Sequence, residues 1–152
     1  MLVVAVFAFM SCNGTKGTTG TTSPGSQSRI LVDFESDSYL SSAITKAKAE
    51  NKLVFVDFYT TWCGPCKLVD KEVFSDQSVG DFMNDHFVSV KVNAEKANGP
   101  TLAAVYNVSG YPTLLFLNQE GEVLEQQLGG IGPTAFKRMA KRALDSAGIS
   151  TP

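Results

Sequence analysis

Residues 53–66 read LVFVDFYTTWCGPC. The first half, Leu53 to Tyr59, is a near-continuous apolar run, which predicts a central strand covered on both faces. Cys63 and Cys66 follow, with Gly64 and Pro65 between them. Because proline suits the first turn of a helix, this stretch predicts a buried strand, a short turn and a helix that begins at the cysteine pair.

The cysteine pair lies where a reactive dithiol is expected. A sulfur at a helix N-terminus lies near unpaired backbone N–H groups and the positive end of the helix dipole, and both favour a thiolate. We therefore expect Cys63 to be the nucleophile, with the more exposed and more acidic thiol. Cys66, one turn later, is expected to be the resolving thiol.

Two other interpretations of the pair stay open at this point. The pair could be half of a zinc site, although only His86 remains as a further ligand of that kind once Cys12 is used elsewhere. It could also be a purely structural disulfide, which would stabilise little across so short a loop.

The overall composition limits the class of protein. With 152 residues the chain fits one ordinary domain, and its 43% of hydrophobic residues provide for a packed core. A formal net charge of -2 and dispersed lysines and arginines provide no basic patch for a nucleic acid. We expect no metal ion and no organic cofactor.

The N-terminus has the pattern of an export signal. Residues 2–11 are apolar but too short to span a bilayer, and they match the length of a signal-peptide core. Ser11-Cys12 is similar to the cleavage box of bacterial lipoproteins, which makes Cys12 a candidate for lipidation. Phe9 in place of the usual leucine, and no lysine or arginine after Met1, depart from that box. The alternatives are a secreted form cut elsewhere and a cytosolic protein with an apolar start.

Residues 13–28 contain mainly Gly, Thr and Ser and nothing apolar, which predicts a flexible tether with an end-to-end span of roughly 20–24 Å. The folded domain is expected over residues 29–148, with residues 149–152 as a tail. The first half of the domain is predicted to contain a strand at 30–34, a helix at 39–49 capped by 36–38, the strand at 53–59 and a helix from the cysteines to 74. A helix after 75–76, a strand at 87–92 and a helix from 100 follow. The last predicted elements are a hairpin of 113–117 and 122–128 around Gly121 and a helix from 132–133 to Gly148. This order predicts an α/β fold with a central mixed sheet and helices on both faces.

The strand, the sequence Trp62-Cys63-Gly64-Pro65-Cys66, the helix, and Tyr111-Pro112-Thr113 before a hairpin together resemble the thioredoxin family. The resemblance covers residues 52–147 and implies the thioredoxin fold, with a C-terminal β-hairpin and helix. Residues 71–79 look more like exported thioredoxin-like proteins, including the soluble domain of transmembrane disulfide reductases.

The resemblance implies a role for an acid and a lysine. Asp57 lies within an apolar strand, where burial should raise its pKa. In the family pattern this position is a buried acid behind the second cysteine, which points to deprotonation of Cys66. Lys91 is the matching cation and would pair with Asp57, or else would be a solvated strand residue.

The resemblance also implies a substrate-binding surface. Pro112 matches the cis-proline of the fold, and the backbone of Tyr111 before it could pair with an extended peptide. Trp62 would shield the cysteines, unless it is a core tryptophan, and Gly129 would allow close approach of substrate, unless it is a turn glycine. Gly64 and Pro65 complete this surface.

Three positions depart from the usual family residues, and we expect them to line the docking surface and to change its specificity. They are residues 59, 60 and 111.

The function implied is that of a protein-disulfide reductase. In the family, Gly-Pro between the cysteines accompanies reductants, whereas oxidases and isomerases typically carry Pro-His or Gly-His. We expect an exported monomer on the periplasmic side of a bacterial envelope, held by a lipid anchor or secreted as a soluble form. Its partners would be disulfide-bearing exported proteins and a transmembrane thiol-reductant donor. The rival interpretations are a disulfide oxidase or isomerase, and a docking module with an incidental dithiol.

Overall fold

The structure is a computed structural model, and it describes residues 29–35 and 39–149. The predicted signal segment with Cys12, the tether at 13–28, the helix cap at 36–38 and residues 150–152 lie outside the described residues. The elements within the described ranges are α1 (Leu40–Glu50), β1 (Leu53–Tyr59), α2 (Gly64–Glu72), α3 (Gln77–His86), β2 (Phe87–Asn93), α4 (Gly99–Val105), β3 (Thr113–Leu117), β4 (Val123–Leu128) and α5 (Pro133–Ser146).

The four strands form one mixed sheet in the order β2-β1-β3-β4. β1 and β2 are parallel, and Asp57 lies opposite Lys91 in this pairing. β3 runs antiparallel to β1, and β4 runs antiparallel to β3. The predicted mixed sheet is therefore confirmed, and β1, as the most apolar segment, occupies an inner position.

Side chains alternate along β1 between two core clusters on opposite faces of the sheet. Phe55 belongs to the cluster covered by α2, α3 and α5, where its ring centroid lies 4.9 Å from Phe116 and 5.3 Å from Phe136. Val54 and Val56 belong to the cluster covered by α1 and α4. Helices thus pack on both faces, and Asp57, in register with Phe55, faces α2.

Most predicted elements are confirmed, including β1 over its whole length and the hairpin. Gly121 in the hairpin turn has φ +85°, and Gly148 after α5 has φ +73°, so both occupy the left-handed region that favours glycine. The predicted strand at 30–34 is wrong, because this segment makes only an isolated parallel bridge between Phe34 and Ser89. The physical reason is that the N–H groups of residues 31 and 32 donate to the carbonyl of Phe74 instead of to a strand.

Candidate active site

The cysteine pair begins α2. Cys63 is the N-cap residue, its Sγ accepts the N–H of Cys66 at 3.1 Å, and Pro65 lies in the first turn. Cys63 and Cys66 are joined by a disulfide, so the structure is that of the oxidised form. The local reason for this arrangement is the proline, which lacks an N–H and fits a first turn where no acceptor is available.

The expected difference in exposure between the two cysteines is not present in this form, since both are 3% exposed. The Cys63 sulfur is bonded to the Cys66 sulfur and accepts the Cys66 N–H. It therefore lies against the first turn of α2, and Cys66 covers it. Gly64 and Pro65 are exposed, and nothing lies within 4 Å of the position that a β-carbon at Gly64 would take. The surface beside the disulfide is therefore formed by the two residues between the cysteines.

Trp62 is 66% exposed and is not a core tryptophan. Its indole N–H donates to the Glu95 carboxylate at 3.0 Å, and its ring meets that of Tyr111 edge-on at a centroid distance of 6.1 Å. The residue before Cys63 thus contacts the residue before Pro112. Sequence reasoning missed Glu95, and the only signal for it was an acid just after β2.

The Tyr111–Pro112 peptide bond is cis, as the resemblance implied. Pro112 is buried, and its carbonyl accepts the N–H of Gly129 at 2.8 Å. Gly129 has φ +83°, so it is a turn glycine by conformation. These three residues, all predicted for the substrate surface, are therefore connected to one another and through Tyr111 to Trp62.

Asp57 is 1% exposed. Its Oδ2 lies 2.9 Å from Nζ of Lys91, and its Oδ1 has no hydrogen-bond partner among the described residues. Burial raises the pKa of Asp57 by more than the charge and hydrogen bond of Lys91 lower it. The direction is the one that the apolar strand predicted.

Lys91 is not a solvated strand residue. Besides Asp57 it forms an ion pair with Asp70 of α2, and its ammonium lies 5.1 Å from the centre of the Tyr59 ring and 5.2 Å from that of Phe34. Sequence reasoning missed Asp70. The signal that could have found it is its spacing of four residues from Cys66, which places both side chains on one face of α2.

The three positions expected to line the docking surface have different surroundings. Tyr111 is half-buried beside Trp62, and the Tyr59 ring lies under Lys91. The prediction for Thr60 is wrong, since this residue is 2% exposed. The reason is that its carbonyl accepts the N–H of Cys63 at 3.3 Å, which holds Thr60 beneath the turn that leads to α2.

His86, the remaining ligand of the zinc interpretation, is the last residue of α3, and its ring lies against Phe82 at a centroid distance of 4.8 Å.

In residues 29–35 and 39–149, no helix is both long enough and apolar enough to cross a membrane.

Comparison with known proteins identifies the family. The model of the thioredoxin-like domain matches residues 40–144. A candidate disulphide-isomerase from Bacteroides thetaiotaomicron, solved in solution, is 42% identical, with a TM-score of 0.67 over 76% of this chain and 94% of that one. Thioredoxin-T of Drosophila melanogaster is 38% identical over 95 residues, which are 62% of this chain and 57% of that protein. The thiol:disulfide interchange protein DsbD of Pseudomonas fluorescens is 30% identical over 109 residues, 70% of this chain but only 19% of DsbD. The chain belongs to the thioredoxin-like family, with a Cys63–Cys66 disulfide at the start of its α2 helix.

Proposed function

We propose that this protein is a thiol–disulfide oxidoreductase that reduces disulfides in exported proteins. The observation that carries the proposal is the Cys63–Cys66 disulfide at the N-terminus of α2, above a buried carboxyl group. A dithiol at a helix N-terminus has the electrostatic surroundings that nucleophilic sulfur chemistry needs.

In the first step the Cys63 thiolate attacks one sulfur of a substrate disulfide. A mixed disulfide forms between Cys63 and the substrate, and the second substrate sulfur leaves as a thiolate. The substrate is then held by one covalent bond, and its release requires a second thiolate.

In the second step Asp57 takes the proton of the Cys66 thiol. The Cys66 thiolate attacks the Cys63 sulfur, the mixed disulfide breaks, and the substrate leaves with both sulfurs reduced. The two electrons gained by the substrate are those lost when the Cys63–Cys66 bond forms. Lys91 compensates the charge of the Asp57 carboxylate in the buried site, as their distance of 2.9 Å supports.

Substrate binding is assigned to the surface around the disulfide. Trp62 and Tyr111 form its aromatic part, and we assign the pairing with an extended peptide segment to the backbone of Tyr111. Gly64 and Gly129 complete the surface, since a chain segment can approach glycine backbone closely, together with the exposed Pro65 between the cysteines.

The oxidised protein must be reduced again after each cycle. Outside the cytosol, glutathione and thioredoxin do not keep thiols reduced, so we assign this step to a transmembrane thiol-reductant donor. The similarity to part of DsbD, a thiol:disulfide interchange protein, supports this assignment. We place the protein as a monomer on the periplasmic side of a bacterial envelope, anchored by a lipid on Cys12 or secreted without one. The intact mass of the mature protein from its native host tests the cleavage site and the lipid together.

The second candidate function is disulfide isomerisation, which the similarity to a candidate disulphide-isomerase favours. The reduction potential of the Cys63–Cys66 pair separates the two functions. About 30 mV corresponds to ~1.4 kcal/mol for a two-electron couple. A potential close to that of thioredoxin supports the reductase, and one close to protein disulfide isomerase supports the isomerase.

The direct test is reduction of insulin by the full chain. We expect Cys63→Ser to abolish reduction, because no nucleophile remains, and Cys66→Ser to stop the cycle at a mixed disulfide that is visible as a mass adduct. Cys12→Ser is the matched control, since it makes the same chemical change outside the domain and should keep the rate. Unchanged reduction by either active-site variant would contradict the proposed function.

A further inference from the structure

Asp70 is a charged group of the site to which the proposed mechanism gives no role. It lies on α2 four residues after Cys66, so the two side chains are on the same helix face. Its carboxylate forms an ion pair with Lys91, which in turn pairs with Asp57. Asp57 and Lys91 therefore lie beneath the face of α2 that carries the resolving cysteine.

The structure places one half-buried cation, Lys91, between two carboxyl groups. Burial by itself lowers the pKa of Lys91, but the pairs with Asp57 and Asp70 outweigh this effect and leave the pKa above its ordinary value. Lys91 is thus a cation in the fold, and its one ammonium group forms ion pairs with both acids.

The two acids differ in access to water. The Asp70 side chain is 32% exposed, whereas that of Asp57 is 2% exposed. Since desolvation penalises the ionised form, burial costs the charge of Asp57 more than it would cost a charge in the better-solvated surroundings of the second acid. Lys91 contacts both carboxyl groups at once, so Asp57 does not have the lysine to itself.

No other charge competes for this role among the described elements packed on Asp57. On β2 its partner is Lys91, on β3 its partner is Leu114, and on β1 itself the nearest titratable group is Tyr59, whose ring lies against the lysine. α2 contributes Asp70. Direct repulsion from the Asp70 carboxylate also raises the pKa of Asp57, and this effect is smaller than that of burial or of Lys91.

We propose that Asp70 is a positioning residue that draws Lys91 into a second ion pair and thereby keeps Asp57 able to accept the Cys66 proton. The inference rests on the proposed function, in which Asp57 is the base for this transfer. A carboxylate that had the lysine to itself would be a weaker base, because a neighbouring cation favours the ionised form. Asp70 touches neither the substrate nor the reacting sulfurs and acts through Lys91.

The test compares Asp70→Asn, which removes the charge and keeps the shape, with Asp70→Glu, which keeps the charge. The first measurement is the titration of the Asp57 carboxyl carbon by NMR in the oxidised protein, and the second is the pH profile of insulin reduction. In D70N we expect the Asp57 midpoint and the pH profile to move to lower pH. We also expect the maximal rate to fall roughly threefold, with KM nearly unchanged. D70E should restore the wild-type values.

Glu72→Gln is the matched control, because it removes one negative charge from an exposed position of the same helix. Its Asp57 midpoint should equal that of the wild type. An unchanged or raised midpoint in D70N, or an equal shift in E72Q, would overturn the inference.

Introducing D70N into a protein that already carries Lys91→Met tests whether Asp70 acts through Lys91. If Asp70 acts through Lys91, the shift caused by D70N is smaller in this background, and an equal shift would show that Asp70 acts directly and refute the role proposed here. The NMR midpoint does not depend on activity, so the two proposals can fail separately. A midpoint that moves in a protein that reduces no disulfide would refute the proposed function alone. A fixed midpoint in an active protein would refute the role of Asp70 alone.

Discussion

Replacing Asp57 by asparagine should stabilise the oxidised protein at neutral and alkaline pH. The Asp57 carboxyl is buried, and one of its oxygens has no hydrogen-bond partner among the described residues. Because burial raises the pKa of Asp57, the folded state holds its proton more tightly than the unfolded state does. The resulting stability is fully present below the unfolded-state pKa of about 4, and it is lost as pH rises through the higher pKa of the folded state.

The magnitude follows from the surroundings of the carboxyl group. Ionisation places a desolvated charge on a carboxyl group that has one unpaired oxygen, and a buried group of this kind costs about 1–3 kcal/mol. The amide that replaces the Asp57 carboxyl would be neutral at every pH, and Lys91 would keep Asp70 as its partner. We therefore expect Asp57→Asn to be more stable than the wild type by about 2 kcal/mol at pH 8, or about 8 °C in Tm for a domain of this size. The difference should shrink as the pH falls towards 4, because protonation of the Asp57 carboxyl removes the charge that the amide lacks.

The assay is thermal and urea unfolding of both oxidised proteins, followed by circular dichroism from pH 4 to pH 8.5. Asp85→Asn is the control, since Asp85 is an exposed acid on α3, and it should change stability by less than about 0.5 kcal/mol at every pH. A variant less stable than the wild type at pH 8 would refute the argument. So would a stability difference that does not change with pH.

Three further substitutions test the packing and the site. In urea unfolding, Gly99→Ala should destabilise the fold by about 2 kcal/mol or more, because the new β-carbon would overlap the backbone carbonyl at the end of β2. Gly132→Ala is the control, since its β-carbon would meet nothing and should leave the free energy of unfolding nearly unchanged. Phe55→Ala should cost about 3–5 kcal/mol in the same experiment, since its ring is fully buried among other aromatic rings. Glu95→Ala should lower the fluorescence anisotropy of Trp62, the single tryptophan, and leave Tm nearly unchanged, because exposed polar pairs contribute only about 0–1 kcal/mol.

Prediction from sequence succeeded where the deciding information is local. The apolar run of β1, the glycine of the hairpin turn and the proline of α2 each act through backbone geometry or burial within a few residues. Prediction failed where distant groups compete. The segment 30–34 has the pattern of a strand, but the carbonyl of Phe74 and the side chain of Asn84 accept its N–H groups. For Thr60 the cause is local: a departure from the usual family residue favours a place on the docking surface, yet the turn before α2 buries this residue.

By themselves, residues 53–66 determined that a buried strand leads to two cysteines at a helix N-terminus, because hydrophobicity, proline geometry and cysteine spacing are properties of adjacent residues. The family resemblance implied Lys91 as the partner of Asp57, but the tertiary structure alone decided that Asp70 joins them. Parallel pairing across a crossover sets Lys91 opposite Asp57, and the packing of α2 on the sheet brings Asp70 to the same lysine. No local pattern encodes this meeting, since each of the three charges reaches it from a different element of the fold.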